Sequence, residues 1–321
     1  MISENGNIII TSIGRRVELL NYFVYELKKF NKNLIVFTAD SNPDLSAASN
    51  ISKHSFKLPH SRSSNFIEKL LKVSIKNRIS LIIPTIDTEL EVLAKNRDKF
   101  LKNNIQIICS DYKLIKKLRD KRNIPALAKE FNVDTPKIYS IKNLKYPCFS
   151  KPYDGSNSKN IQVIKNTIEM KLAKKNNRIF FSQFLDSDFQ EFTIDAYYNK
   201  KSELICSVPR QRLAVRGGEI EKGITRKGRI YKYFKNRFSN FSGLIGPITF
   251  QFMANVKKNK FYLIEINPRF GGGYPLSYHA GSNYPKYIIQ EYLSNKHLKK
   301  FDKWEKNLLS LRYDKDVVIR Q

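Results

Sequence analysis

Two kinds of apolar pattern alternate over the first hundred residues of the chain. Short runs of consecutive apolar residues, typical of buried strands, fall at residues 7–13, 34–39, 54–58, 81–83 and 105–109. Between them, apolar residues recur every three or four positions, as on one face of a helix, over residues 15–30, 65–76 and 89–100. Strands joined by helices of this length predict an open parallel α/β sheet, which we place within residues 1–110.

Polar segments follow three of the predicted strands, at residues 14–16, 40–42 and 84–87. Ligands of open α/β sheets bind beyond the carboxyl ends of the strands, so these segments are candidates for a binding edge. Asp40 would suit a dinucleotide, but Gly14 is the only glycine after the first strand. Because the glycine-rich pyrophosphate turn is missing, the sequence disfavours NAD as a ligand.

The pattern changes after a helical region at residues 112–131. From residue 134 onwards, strand-like segments are separated by turns instead of helices, pairing 146–151 with 161–164, 192–198 with 202–209, and 248–254 with 261–267. Such hairpins predict an α+β region with antiparallel sheets, distinct from the first domain, with the boundary near Ser110. The tail from residue 296 to residue 321 is polar and carries no motif.

The charge of the chain is strongly basic. Its 321 residues include 58 Lys and Arg against 29 Asp and Glu, which gives a formal net charge of +29. Lysine is spread along surface-like stretches, and no arginine-rich block, zinc finger or aromatic–basic motif stands out. The sequence therefore disfavours nucleic acid as a partner. A basic cleft would still attract anionic nucleotides and acidic substrates.

Nothing in the sequence predicts a membrane segment or a disulfide framework. No apolar run approaches the roughly 18 residues that a membrane-spanning helix needs. The first ten residues carry an acid and no basic segment, unlike a signal peptide, so we expect a cytoplasmic location. Cys109, Cys148 and Cys206 are odd in number and widely separated, which favours buried, reduced thiols over disulfides or a zinc site.

The predicted hairpin over residues 249–267 carries the sharpest chemical signal. If its turn falls at residues 257–259, Gln251 lies opposite Glu265, and Asn267 projects from the same face. Three oxygen-bearing side chains on one half-buried face suit a hard cation such as Mg²⁺, with Mn²⁺ as an alternative. Arg269 follows on the same alternation and suits a transferring phosphoryl group. The alternative is a surface face with a Glu–Arg pair.

A flexible loop follows a strand that ends at Lys151. Residues 151–160 contain Gly155, Ser156 and Ser158, whose backbone amides and hydroxyls could hold phosphates beside the lysine charge. The loop lacks the Gly-Lys-Ser/Thr element of a Walker A motif, and an ordinary hairpin loop would have the same composition.

Residues 180–185 form a strand-like segment that is followed by an acidic turn and a second strand from Glu191. This arrangement could supply an adenine slot and a ribose ligand, but it is also what a plain hairpin would show.

Arginine and glycine clusters supply candidate substrate contacts. Arg210, Arg212 and Arg216 precede a glycine pair, and arginine binds carboxylates through two parallel hydrogen bonds, so an acidic substrate is one interpretation. A basic surface loop is the other. Gly272 lies in a glycine run directly after the predicted metal strand, where the absence of a side chain would let a substrate approach the backbone.

Taken in order, these motifs resemble the ATP-grasp superfamily. The elements that carry the resemblance are Lys121, Lys151 with its Gly-Ser loop, the segment 183–185, Glu191, Gln251 and the segment Glu-Ile-Asn-Pro-Arg at 265–269. Within that superfamily, the chain resembles short proteins related to the large subunit of carbamoyl-phosphate synthetase. The resemblance implies an α/β domain over 1–110, two nucleotide-clasping subdomains over 111–182 and 183–295, and a tail over 296–321.

The resemblance also implies roles for the matching residues. Lys121, Lys151, Ser156 and Ser158 would contact phosphates. The adenine would lie against Gln183, Phe184 and Leu185, with the ribose on Glu191. The metal would lie on Gln251, Glu265 and Asn267, and Arg269 and Lys151 would assist phosphoryl transfer. Two departures from the family pattern are a longer stretch before Glu191 and Gln251 in place of a carboxylate, which leaves the number of metals open.

The implied activity is that of an ATP- and Mg²⁺-dependent ligase, which phosphorylates a small-molecule carboxylate and joins it to an amine. One alternative is an enzyme that phosphorylates bicarbonate or carbamate. Another is a non-catalytic module that binds nucleotides or nucleic acid. The identity of the acid and the amine stays open, and a homodimer is the expectation from relatives.

Overall fold

The first sheet is parallel, as predicted, and its strands are ordered β3-β2-β1-β4-β5. The computed structural model describes residues 6–155 and 160–320. The strands are β1 (Asn7–Thr11), β2 (Val36–Asp40), β3 (Ser55–Lys57), β4 (Ile79–Pro84) and β5 (Gln106–Ile107), and the helices are α1 (Val17–Phe30), α2 (Ala47–Ile51), α3 (Phe66–Lys76), α4 (Asp87–Lys95) and α5 (Arg97–Leu101). Ile8, Ile9 and Ile10 of β1 are fully buried, which explains the continuous apolar run.

The predicted helical region at 112–131 is divided into α6 (Tyr112–Arg119) and α7 (Ile124–Glu130). Asp120 causes the break, because its carboxylate accepts a hydrogen bond from the backbone N–H of Arg122 at 2.9 Å and caps a short turn. The break places Lys121 beside the next sheet, where its N–H donates to the carbonyl of Tyr153 at 2.8 Å.

The second sheet is small and antiparallel, with the order β6-β9-β7-β8. Its elements are β6 (Ile138–Tyr139), β7 (Cys148–Pro152), β8 (Gln162–Ile164), α8 (Thr167–Ala173) and β9 (Ile179–Gln183). Four of its buried residues, Cys148, Ile164, Met170 and Phe181, form a separate cluster.

The third sheet is the largest and has the order β14-β13-β10-β11-β12-β15. Its strands are β10 (Gln190–Tyr198), β11 (Leu204–Arg216), β12 (Glu219–Thr225), β13 (Gly246–Asn255), β14 (Lys260–Asn267) and β15 (Leu309–Leu311), and the accompanying helices are α9 (Arg229–Arg237), α10 (Tyr274–His279) and α11 (Tyr284–Tyr292). Because β9 and β10 belong to different sheets, the alternative of a plain hairpin over residues 180–198 is wrong.

Residues near the end of the chain complete this sheet. Leu309–Leu311 pairs antiparallel with β12, and Leu298 and Trp304 are buried against the rest of the molecule. The segment that looked like a motif-free polar tail therefore has a structural role, carried by a few apolar residues spaced among polar ones.

The three cysteines are free and buried, as predicted. Across residues 6–155 and 160–320, no helix has both the length and the apolar character needed to cross a membrane.

Candidate active site

A cleft of about 500 Å³ is lined by both antiparallel sheets and by loops of the parallel domain. Most of the predicted site residues line it, namely Lys121, Lys151, Gln183, Phe184, Leu185, Glu191, Arg210, Arg212, Gln251, Glu265, Asn267, Arg269 and Gly272. Ser156 and Ser158 lie outside the described residues. Residues that were scattered over about 150 positions of sequence therefore share one cavity.

The hairpin of β13 and β14 has the predicted pairing at the site. Gln251 lies opposite Glu265, and Thr249 lies opposite Asn267. Asn267 donates from its side-chain nitrogen to Oε1 of Glu265 at 2.8 Å. The strand alternation thus gathers one carboxylate and two amide side chains on the cleft wall.

Two lysines face this carboxylate from the other side of the cleft. Lys121 Nζ lies 3.2 Å from Oε2 of Glu265 and also donates to the carbonyl of Gly155. Burial would raise the pKa of Glu265, but Lys121 and then Lys151 outweigh burial and hold that pKa below its usual range. Glu265 is therefore an anion poised between two cations.

Lys151 is brought into the cleft by β7. Burial lowers the pKa of Lys151 to about 8, with repulsion from Lys121 acting in the same direction and attraction by Glu265 opposing it. Burying a charged lysine away from water costs free energy, and an anion that binds to it offsets this cost. A buried lysine therefore binds an incoming anion strongly. This environment suits a group that contacts phosphate.

The donors at Gln251, Glu265 and Asn267 fit Mg²⁺ in kind, since all three offer oxygen. They supply only one negative charge. Within the described part of the chain, no group of three or more His, Cys, Asp or Glu side chains is placed to hold a metal. A cation here would therefore depend on further oxygens from a bound ligand, as Mg²⁺ commonly does with nucleotide phosphates.

An apolar part of the cleft lining, called the apolar end here, includes the connection between β9 and β10. Phe184 and Leu185 of this connection line the cavity together with Ile161, Met253 and Ile264. The connection is anchored at its start, where the N–H of Gln183 donates to the carbonyl of Lys137 at 2.8 Å. This end can accept a flat apolar group.

Glu191 stands where the connection enters β10. Its carboxylate is bound by the guanidinium of Arg212, which also donates to the carbonyl of Gly218 at 2.9 Å. Burial raises the pKa of Glu191, and Arg212 partly opposes this effect. Arg212 therefore holds Glu191 in place at the cleft wall.

Arg210 is buried and forms two hydrogen bonds with Asp195, at 2.7 and 3.1 Å. Ser277 donates to the same carboxylate at 2.5 Å. The remaining amino group of Arg210, Nη1, has no hydrogen-bond partner in the described structure and points at Gly273. Arg210 thus lines the cleft with its charge already balanced.

Arg216 does not line the cleft, contrary to its predicted substrate contact. Its guanidinium is about half exposed and pairs with Asp314 at 2.7 Å and Glu221 at 3.3 Å. The β11 strand continues past the cavity at this point, which carries Arg216 out of reach.

Two segments of the chain match models of known families. Residues 8–108 match the model described as PylC-like, N-terminal domain. Residues 177–313 match the model described as ATP-grasp in the biosynthetic pathway with Ter operon. The chain therefore has an ATP-grasp fold.

Solved structures share this ATP-grasp fold at low sequence identity. The biotin carboxylase domain of Hydrogenobacter thermophilus 2-oxoglutarate carboxylase, a dimer in complex with MgADP, ADP and bicarbonate, has a TM-score of 0.74 at 14% identity, over 96% of this chain and 74% of that one. L-amino acid ligase from Bacillus licheniformis has a TM-score of 0.69 at 17% identity, over 91% and 75%.

The N5-carboxyaminoimidazole synthetase of Staphylococcus aureus, complexed with ADP, has a TM-score of 0.69 at 15% identity, over 95% of this chain and 80% of that one. No curated protein matches the sequence. The likeness therefore establishes the ATP-grasp fold and leaves the substrate to be argued from the site.

The parallel domain of this chain adds cleft residues that the motif analysis missed. Asp87, at the start of α4, binds Arg269 through two hydrogen bonds at 2.9 and 3.0 Å. Arg16, just before α1, also lines the cavity. Both residues fall in segments that the strand pattern had placed at the ligand-binding edge of the parallel sheet. That placement was the sequence feature from which their role in the cleft could have been predicted.

Proposed function

We propose that this ATP-grasp protein is an ATP-dependent ligase that phosphorylates a carboxylate and joins its acyl group to an amine. The observation that carries the proposal is the facing arrangement of Glu265 between Lys121 and Lys151, next to Arg269. Positive groups on both sides of one carboxylate suit a polyphosphate bound with its cation. The apolar end of the cleft suits the base of a nucleotide.

The proposal assigns a role to each of these cleft residues, and their shared cavity supports it. Lys121 and Lys151 bind the phosphates as charges, with Phe184, Leu185 and Gln183 beside the adenine and Glu191 on the ribose. Gln251, Glu265 and Asn267 hold Mg²⁺, with Mn²⁺ as a substitute. When bound, the metal supplies neutralisation of the charge that builds up on the phosphates.

The chemistry proceeds in two steps. A carboxylate oxygen of the acid attacks the γ-phosphorus, the bond to the β-phosphate oxygen breaks, and ADP leaves. The amine nitrogen then attacks the acyl carbon of the acylphosphate, inorganic phosphate leaves with the bonding pair, and the nitrogen loses a proton. In both steps the protein acts mainly by positioning and by charge, with Arg269 beside the transferring group.

The named neighbours support the reaction class. An L-amino acid ligase and an N5-carboxyaminoimidazole synthetase share the fold, and a biotin carboxylase domain binds MgADP and bicarbonate. Since bicarbonate is itself an acid that can be phosphorylated, it belongs among the acids to be tested.

The test is release of ADP from Mg·ATP by the purified protein, offered pooled carboxylic acids, bicarbonate and pooled amines. We expect release that requires one acid pool and one amine pool, and deconvolution of the pools then identifies the substrates. Release with bicarbonate alone would instead support the carboxylase-type reaction. ATP binding without release in any pool would contradict the ligase and favour a nucleotide-binding module.

Glu265→Gln is the matched variant for this test. It removes the charge of Glu265 while keeping its shape, so we expect an intact fold with turnover reduced at least 100-fold, because phosphoryl transfer depends on charge neutralisation at the metal. Turnover near that of the wild type would remove Glu265 from the proposed metal site.

A further inference from the structure

Arg16 reaches the cleft from the parallel domain in an unusual electrostatic setting. Its Nη1 donates to the carbonyl of Phe270 at 3.2 Å, and its Nη2 donates to the carbonyl of Thr85 at 3.1 Å. The first bond joins the parallel domain to the segment after β14, and the second lies within the parallel domain. They fix the position of the guanidinium, but a carbonyl carries no charge to balance it.

The other arginines of the cleft are matched by carboxylates. The pairs are Arg269 with Asp87, Arg210 with Asp195, and Arg212 with Glu191. Among the residues that the structure describes, no carboxylate lies within 4.0 Å of the guanidinium nitrogens of Arg16. Arg16 is therefore an unmatched cation on the wall of the cavity.

The acidic groups nearest to Arg16 are already engaged. Asp87 binds Arg269. Glu219 is held by Arg15 at 3.2 Å and by Arg312 at 2.9 Å. The buried carboxylate of Glu89 accepts from the N–H groups of Thr85 and Ile86 and from the hydroxyl of Ser12, at 2.7, 3.2 and 2.9 Å.

The surroundings of Arg16 lower the pKa of its guanidinium without removing the charge. Burial, and then repulsion from Arg269, lowers the pKa of Arg16 to about 10, with Glu219, Asp87 and Glu89 opposing the shift. The guanidinium stays protonated at neutral pH. A partly buried cation of this kind is stabilised by any anion that reaches it.

We propose that Arg16 binds the carboxylate of the acid substrate, the group that accepts the phosphoryl. Arg16 and Arg269 donate to the same oxygen, the carbonyl of Phe270, at 3.2 and 3.0 Å. A carboxylate on Arg16 therefore lies beside the residue proposed to act on the phosphoryl group. The inference rests on the proposed ligase function and adds the residue that selects the acid.

The geometry leaves Arg16 the donors it needs. A guanidinium has five N–H groups, and the two carbonyls use two of them, so a carboxylate can still be bound through paired donors. Gly271, Gly272 and Gly273 line the same cavity as Arg16. A Cβ at Gly272 would come within 2.7 Å of the Glu219 carboxylate, which shows how closely the cavity wall is packed there.

The test compares Arg16→Gln and Arg16→Lys with the wild type in the ADP-release assay, using the acid and amine identified from the pools. Arg62→Gln is the matched control, since Arg62 is exposed, lies in the same domain and loses the same charge. For Arg16→Gln we expect KM for the acid to rise about 30-fold or more, the range expected when a charge-assisted hydrogen bond is lost. KM for ATP should change less than about threefold. The acid KM of Arg16→Lys should fall between those of the wild type and Arg16→Gln.

Affinity for Mg·ADP, measured calorimetrically, shows that each variant is folded and keeps its nucleotide site. An acid KM for Arg16→Gln equal to that of Arg62→Gln would overturn the inference while leaving the ligase in place. An equal rise of the ATP and acid KM values would also overturn it, because that result points to a structural role. Absence of acid-dependent release in the wild type would overturn the ligase, and this inference with it.

Discussion

Raising the pH from about 7.5 to 9.5 should remove the charge of Lys151 in the free protein, because burial lowers its pKa to about 8. Nucleotide phosphates favour the charged form, so affinity is fully present below that pKa and is lost as the pH rises through it. If binding requires the charged form, the dissociation constant for Mg·ADP should be about 11-fold higher at pH 9 than well below pH 8. A lysine with its ordinary pKa of 10.5 would change it by only about 3% at the same pH.

Isothermal titration calorimetry with Mg·ADP at half-unit steps above pH 7.5 measures this effect. The phosphates of the ligand titrate near pH 6, so they do not contribute in this range. Lys151→Arg is the informative variant, since a guanidinium stays charged throughout and should give a flat profile. Lys151→Met should bind weakly at every pH, also without a slope.

Two results would refute this reasoning. A wild-type dissociation constant that stays within about twofold from pH 7.5 to 9.5 would mean that Lys151 has an ordinary pKa or does not contact the phosphates. A slope that survives in Lys151→Arg would assign the titration to another group.

Two further substitutions test the packing around Arg210. A Cβ at Gly273 would meet Nη1 of Arg210 at 2.3 Å, and that guanidinium is held in place by Asp195. Gly273→Ala should therefore lower kcat/KM for the acid at least 10-fold without changing the affinity for the nucleotide. Kinetics equal to those of the wild type would show that Arg210 can move to accommodate the methyl group. Asp195→Asn leaves Arg210 buried without a counter-charge and should lower the free energy of unfolding by about 3–5 kcal/mol in urea titrations. Asp302→Asn, in an exposed pair, is the control, and equal losses from both variants would contradict the assignment.

The face that carries Gln251, Glu265 and Asn267 could be predicted because strand alternation and facing pairs depend on local sequence. The predicted pairing of Gln251 with Glu265 is confirmed, although the turn begins one residue earlier than predicted, at Val256, and Asn255 pairs with Lys260. A β-bulge between Gln251 and Phe252 compensates for the earlier turn. The agreement at the site thus involves an irregularity that sequence alone could not reveal.

The arginines show where sequence reasoning stops. Opposite charges at Glu191 and Arg212 lie beside the observed pair of Phe192 and Gln211, so a correct register of β10 and β11 would have predicted their contact. That register is itself shifted near Tyr197. Arg16 could not be singled out in the same way. Its unmatched charge depends on which carboxylates the other arginines occupy, and the pair of Arg269 with Asp87 joins segments 182 residues apart.

The two walls of the cleft are unequal in their resistance to local opening. The wall that carries Lys151 rests on a buried cluster of Cys148, Ile164, Met170 and Phe181, with four partly buried neighbours. The wall that carries Glu265 belongs to a cluster of more than twenty buried residues. Since cooperative units with few buried apolar contacts open at low free energy, the small sheet forms the compliant side of the molecule. A ligand that contacts both walls would therefore order the small sheet against the large sheet, which is already rigid.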